Sequence, residues 1–204
     1  MKAHIGSKIE LPTRHGKFDV QHVSVLGDAA GVIREGVVLH SNIINEPVLV
    51  RVQSSCLFSE TFWATDCDCA LQLQHSLHRI GVEGGVLLYF YEEGRGAGLA
   101  VKFKAIELQQ MQGMDTRQAY ECLNTSVDKR SYEAAATVLK LLVSDKPIIL
   151  LSNNPEKAAG LSKYGVNVLR RENLICGWDQ PEIRRYLEEK REILRHDIPN
   201  DKDR

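Results

Sequence analysis

The sequence predicts an α/β (α+β) fold, a mixed β-sheet with a β-rich N-terminal part and flanking helices. Three observations predict it. The first quarter of the 204 residues is a succession of short, β-branched runs separated by Gly, Asn, Asp and Pro. Helical spacing of apolar residues begins only near residue 71. From there helices and short apolar runs alternate to the end of the chain.

Taken in order, "KIELPT" (8–13), "FDVQHVSV" (18–25), "GVIREGVVLH" (31–40) and "PVLVRVQS" (47–54) are the early strands. "LQLQHSLHRI" (71–80) places Leu73, Leu77 and Ile80 at helical spacing and leaves His75 and His78 to solvent. "GVLLYFYEE" (85–93) reverts to a buried strand. Residues 99–112 read as an amphipathic helix, and "DTRQAYECL" (115–123) opens another with Asp115 and Thr116 as capping residues. Alanines raise the helix propensity of "SYEAAATVLKLL" (131–142). "PIILLS" (147–152) is a strand. "NPEKAAGLSKYG" (154–165) is a helix with Pro155 in its first turn and Gly165 at its end. "VNVLRR" (166–171) is a strand, and "QPEIRRYLEEKREILR" (180–195) a charged C-terminal helix. No repeat and no composition shift marks a linker, so a single domain over 1–195 is expected, with "HDIPNDKDR" (196–204) as a disordered tail.

Composition narrows the function classes. Hydrophobic content of 43% and charged content of 26% are those of a globular protein. A formal net charge of -1 gives no reason to expect nucleic acid or an anionic membrane as partner, so a charged ligand has to meet a local cluster. No stretch has the length of a secretory h-region or a membrane span. A cytoplasmic address follows, in which thiols stay reduced and clustered cysteines point to metal or catalysis before disulfides.

Three of the five cysteines cluster: Cys67 and Cys69 in "DCDC", with Cys56 ten intervening residues upstream. Two sulfurs one residue apart point oppositely along a strand and need a turn to converge. With Cys56 they make three zinc-type ligands, and no neighbouring cysteine or histidine supplies a fourth, the arrangement of an open, catalytic site. The alternative is that the three are small buried hydrophobes. That alternative is the reading adopted for Cys122 and Cys176. In "EEGRGAGL" (92–99) glycines flank Arg95 just before a helix start, which lets backbone approach a ligand. A plain strand-to-helix turn with a solvated arginine reads equally well. The string is neither a P-loop nor a dinucleotide fingerprint.

Together, "RVQSSC" (51–56), "DCDCALQL" (66–73), "EEGRGAGL" (92–99) and "LLSNNPEK" (150–157) resemble GTP cyclohydrolase II. The resemblance runs from about "LPTRHGKF" to about "YLEEK". It implies a zinc- and magnesium-dependent hydrolase, in all expectation a homodimer, that opens the imidazole ring of GTP at C8, releases formate and pyrophosphate, and takes no nucleic acid or membrane partner. It implies Cys56, Cys67 and Cys69 as holders of one Zn2+ per chain, and Mg2+ with the triphosphate. Arg51, Gln72, Glu93, Gly94, Arg95, Thr116, Ser152 and Lys157 are the implied nucleotide contacts. For Ser152 and Lys157 the residues alone read equally as helix capping and a surface charge. In "VDKRSYE" (127–133) the resemblance implies Asp128 as proton acceptor and Arg130 as nucleophile on the α-phosphate. Read from the residues alone, Asp128 is a helix N-cap or neighbouring charge and Arg130 a phosphate clamp.

The chain departs from the family pattern at Gln53 and Ser55, where histidine and glutamate are usual, at Ala70 for glycine, and at Ile106 for a tyrosine near the reacting base. Isoleucine has no hydroxyl with which to orient water. Tyr89 and Tyr91, on the strand before the glycine turn, are the candidate replacements. The expected product is therefore either that of the family or a formamidopyrimidine that keeps its formyl group. A related nucleotide as substrate, and a zinc-containing nucleotide-binding protein without turnover, are the other readings.

Overall fold

The computed structural model describes residues 1–27, 31 and 33–200. Among the described residues seven strands form one mixed sheet: β1 (Lys2–Thr13), β2 (Gly16–Leu26), β3 (Ile33–His40), β4 (Val48–Ser54), β5 (Val86–Phe90), β6 (Ile148–Leu151) and β7 (Val168–Glu172). Their order is β1-β2-β3-β5-β4-β6-β7. The pairs β1–β2, β2–β3 and β3–β5 are antiparallel, and β5–β4, β4–β6 and β6–β7 are parallel. The third predicted strand thus begins at Ile33, and Val32 lies outside the described residues.

Helices α1 (Leu57–Phe62), α2 (Cys69–Glu83), α3 (Leu99–Gln112), α4 (Thr116–Cys122), α5 (Tyr132–Val143), α6 (Pro155–Lys163) and α7 (Pro181–Leu194) connect and cover the sheet. One face packs on α5 and α6 through Val48, Val50, Val52, Leu88, Leu139 and Leu161. The other packs on α2 through Leu49, Leu87, Ile149, Leu151 and Ile80. With both faces covered, β4 is buried along all but its last residue, the usual condition of a parallel central strand. A smaller cluster joins α3 to α4 through Ala105, Ala119 and Tyr120, and another seats α7 through Ile183 and Leu187.

Elements predicted from the sequence occur in the predicted order, with two additions. The six-residue α1 was not expected, and a single 3-10 turn spans Gly94–Gly96. Beyond α7 the chain does not leave the molecule at once. Asp197 donates its N–H to the Asn153 carbonyl at 2.8 Å, and Ile198 is buried with Ile183 and Leu187. Residues 201–204 of the expected tail lie outside the described residues. No helix among the described residues is long and apolar enough to cross a membrane.

The winding direction reverses beside β4: the chain passes from β4 to β5 on one side, then returns across β4 to β6 on the other. In open α/β sheets the crevice at the carboxyl ends of strands at such a reversal is where ligands bind. The segments that carry the cysteines, the glycine turn and "SNNPEK" follow the carboxyl ends of β4, β5 and β6.

Candidate active site

The three cysteines meet because the chain makes the turn that their spacing requires. Cys56 lies two residues past the end of β4 as the N-cap of α1, whose C-cap Trp63 takes a left-handed conformation (φ 59°) that reverses the chain toward Cys67. Asp68 sits in the bridge region (φ -90°, ψ 6°), and Cys69 is the first residue of α2. All three Sγ atoms lie within 4.8 Å of one another, and Cys56 Sγ is 3.9 Å from Cys67 Sγ. Zn–S bonds of about 2.3 Å in tetrahedral geometry place sulfurs about 3.8 Å apart. The thiols therefore fit a metal ion, and among the described residues no fourth His, Cys or carboxylate joins the group. Hydrogen bonds from the Cys67 and Cys69 thiols push Cys56 down toward thiolate, and the same contacts push Cys67 and Cys69 up. Lys102 Nζ donates to Cys56 Sγ at 3.4 Å and to Glu93 Oε2 at 2.9 Å. The other Glu93 oxygen accepts the Leu57 N–H at 2.6 Å, which ties the glycine turn to α1.

Behind the sulfurs runs a closed chain of hydrogen bonds. Glu60 accepts from the Cys56 N–H (3.2 Å), from Gln53 Nε2 (2.8 Å) and from the Tyr89 hydroxyl (2.5 Å). Gln53 Oε1 accepts from Arg51 Nε at 2.9 Å, and Arg51 Nη2 donates to Gln72 Oε1 at 2.7 Å. Gln72 Nε2 donates to Asp68 Oδ2 at 2.6 Å, which returns the chain to the residue between the other two cysteines. Arg51 and Gln53 alternate with Val50 and Val52 along β4, so strand periodicity alone places them on the α2 face. Burial lowers the Arg51 pKa to about 10, with Asp68 acting against it. The same burial raises the Glu60 and Tyr89 pKa values.

The glycine turn and "VDKR" form the second part. Gly94, Arg95, Gly96 and Gly98 all have positive φ. A Cβ on Gly96 would stand 3.1 Å from the Arg130 backbone nitrogen, and Lys129 donates its N–H to the Arg95 carbonyl at 2.9 Å. Gly96 is needed for a close approach, and what approaches it is the backbone of Lys129 and Arg130, whereas Gly94 faces Lys102 and Gly98 has open space beside it. Asp128 accepts from the Arg130 N–H (3.0 Å) and Nε (2.9 Å) and pairs with its Nη2. Burial acts against both charges, yet Arg130 holds the Asp128 carboxyl below its usual range and Asp128 holds the Arg130 guanidinium up. The N-cap of α5 is Ser131, so Asp128 closes a local turn and does not cap the helix.

Lys157 is 5% exposed and donates to the Val52 carbonyl at 2.7 Å, which overturns its reading as a surface charge; α6 lies on the sheet and carries it inward. Burial, then Arg51 and Arg130, lower its pKa. Asn154 caps α6, while Ser152 Oγ accepts the Asn154 N–H at 3.1 Å. Thr116 is buried at the start of α4, where Oγ1 accepts from Gln109 and the N–H donates to Glu189. Of the expected nucleotide contacts, the structure gathers Arg51 and Gln72 behind the sulfurs and Glu93, Gly94 and Arg95 beside them; Thr116 is held by α3 and α7. His75 and His78 are exposed, as their spacing predicts. Cys122 is also exposed, not buried, because it ends α4 on its outer side; Cys176 is half-buried.

Sequence reasoning missed Glu60, Lys102, Asp68 and Lys190. Lys102 and Ile106 are four apart on α3 and share a face. The position of Asp68 between two of the clustered cysteines was its one signal in the sequence. Lys190, 122 residues away, donates to Asp68 Oδ1 at 2.7 Å, a pairing no local pattern announces.

The model of the GTP cyclohydrolase II family matches residues 4–173. The chain is 35% identical to GTP cyclohydrolase-2 of Haemophilus influenzae, over 99% of this chain and 92% of that protein. It is 36% identical to the riboflavin biosynthesis protein RibBA of Staphylococcus saprophyticus and 37% to that of Thermotoga maritima, over 93% and 92% of this chain. It spans 47% of the length of each of those two relatives. A family match over most of the chain, joined to a three-thiol group at the carboxyl ends of parallel strands, places this protein in the GTP cyclohydrolase II family of hydrolases.

Proposed function

We propose that the chain hydrolyses GTP with pyrophosphate release and opening of the imidazole ring at C8, and that one Zn2+ is held by Cys56, Cys67 and Cys69. The convergence of the three thiols beside the glycine turn carries this reading. Zinc bound there supplies Lewis acidity and a water acidic enough to act as nucleophile near neutral pH. Lys102 and Glu93 fix the position of Cys56 relative to the turn. Arg51, Gln72, Glu93, Gly94, Arg95, Thr116, Ser152 and Lys157 are the proposed nucleotide contacts, and Mg2+ accompanies the triphosphate.

At the phosphate end, Arg130 is held as a cation by Asp128. Its nitrogen bonds to the α-phosphorus only as the bond to pyrophosphate breaks, and Asp128 takes the proton released. Water then cleaves the phosphorus–nitrogen bond and restores Arg130. A homodimer in the cytoplasm is the proposed form.

A second reading is favoured by Ile106. It shares a face of α3 with Lys102, which reaches Cys56, and brings no hydroxyl there. On this reading the product keeps its formyl group. Purified protein supplied with zinc, magnesium and GTP is expected to release pyrophosphate with formate absent or substoichiometric, read by mass spectrometry of the product. Stoichiometric formate would refute the retained formyl group. Unchanged GTP would point to a related nucleotide or to binding without turnover.

A further inference from the structure

Between the two adjacent metal-type ligands sits a carboxylate with no access to water. Asp68 is 0% exposed, and its two oxygens accept from Gln72 Nε2 at 2.6 Å and from Lys190 Nζ at 2.7 Å. Lys190 comes from α7, which lies beyond the residues matched by the family model. It is 8% exposed, and its ammonium stands 4.3 Å from the Tyr186 ring centroid. A lysine is rarely buried to this degree without a paired charge. Here the pair lies in the backbone turn that brings Cys67 and Cys69 to the same side.

The charges explain why the pair is placed there. Three thiolates and Asp68 bring four negative charges against the two positive charges of a zinc ion. Lys102, on Cys56, compensates one side of the group. Lys190 compensates the other, and its charge acts on Cys69 as well as on Asp68. Groups that hydrogen-bond around a metal site typically alter metal affinity 10–100-fold when removed.

We infer that Lys190 is a positioning residue of the metal site: by clamping Asp68 it fixes the Cys67-Asp68-Cys69 turn, so that α7 is a working part of the site. The inference rests on the proposal that the three thiols hold a metal ion.

The test is the rate at which zinc passes from the full-length protein to an excess of chelating dye. Lys190→Met is expected to speed release about 10–100-fold. It is also expected to change the ligand-field bands of the cobalt-substituted protein. Leu187→Ala loosens the same helix without touching Asp68, and in its folded fraction release should match wild type. If Lys190→Met does not fold, the neutral pair Asp68→Asn with Lys190→Met gives the same readout and the same expected acceleration. Wild-type release and spectrum in Lys190→Met, or equal acceleration by Leu187→Ala, would overturn the inference and leave the metal proposal standing. A wild-type protein that retains no zinc would overturn both.

Discussion

Gln53 shows how a departure at one position is absorbed by its neighbours. Its amide bridges Arg51 to Glu60, and Glu60 in turn gathers the Cys56 N–H and the Tyr89 hydroxyl. Glu60, carried by α1, thus sets a carboxylate beside the Cys56 backbone. Glu60→Ala would leave three donors without an acceptor, and urea unfolding is expected to show a loss of about 2–4 kcal/mol. Ile106→Tyr returns a hydroxyl to the face of α3 that carries Lys102, and the formate-to-pyrophosphate ratio is expected to rise toward one. A ratio unchanged from wild type would remove Ile106 from the explanation. At this scale the cysteine trio was legible, because its ligand chemistry and spacing lie in the sequence; Asp128 and Arg130 were singled out by the resemblance, and the helix-cap alternative for Asp128 fails because Ser131 holds that position. The inward reach of Lys157 was not legible, since a lysine in a helix gives no sign of which face meets the sheet.

Among the elements, α3 has the predicted bounds, yet Ala105 is its one buried residue, and Phe103 and Met111 are 55% and 80% exposed. The helix packs on α4 and the glycine turn and not on the sheet, so its apolar residues exceed what it buries. Helix α1 escaped the sequence reading because six residues are too few for a period to emerge. It is nonetheless the element that supplies Glu60. Helix α4 is capped by Asp115, as the sequence reading expects, while Thr116 is its first helical residue and not a second cap; Asp115 accepts from the Gln118 N–H at 2.8 Å and Gln118 Oε1 accepts the Asp115 N–H at 3.0 Å, a capping box. Asp115→Ala is expected to cost about 1 kcal/mol in denaturant unfolding, with Thr116 losing its fixed position as a consequence.

For the whole molecule, the sequence disclosed a mixed sheet with helices on it. It did not disclose the strand order. Insertion of β5 between β3 and β4 is a long-range pairing, and it is this insertion that creates the reversal where the site lies. The chain after α7 is similarly settled by distant contacts, through Asp197 with Arg171 and Ile198 with α7. It leaves His196 with its Nδ1 buried and unpartnered. Burial, then Lys190, Arg130, Arg95 and Lys157, lower the His196 pKa to about 2 from 6.5. A folded-state pKa below the unfolded one means that its contribution is complete above about pH 6.5 and is lost as pH falls below it, at up to about 1.4 kcal/mol per pH unit. His40, likewise lowered by burial, acts in the same direction. Melting temperatures followed from pH 7.5 to pH 5 should fall in wild type and fall less steeply in His196→Gln.

The proposed ring opening depends above all on three sulfurs of one chain sharing a cation that keeps a position for water. X-ray absorption at the zinc edge of the purified protein tests this directly. Three sulfur neighbours at about 2.3 Å with one oxygen neighbour, in a protein carrying one zinc per chain, is the expected spectrum. Zinc ringed by four protein ligands, or a protein whose zinc content is the same after Cys67→Ser, would contradict it.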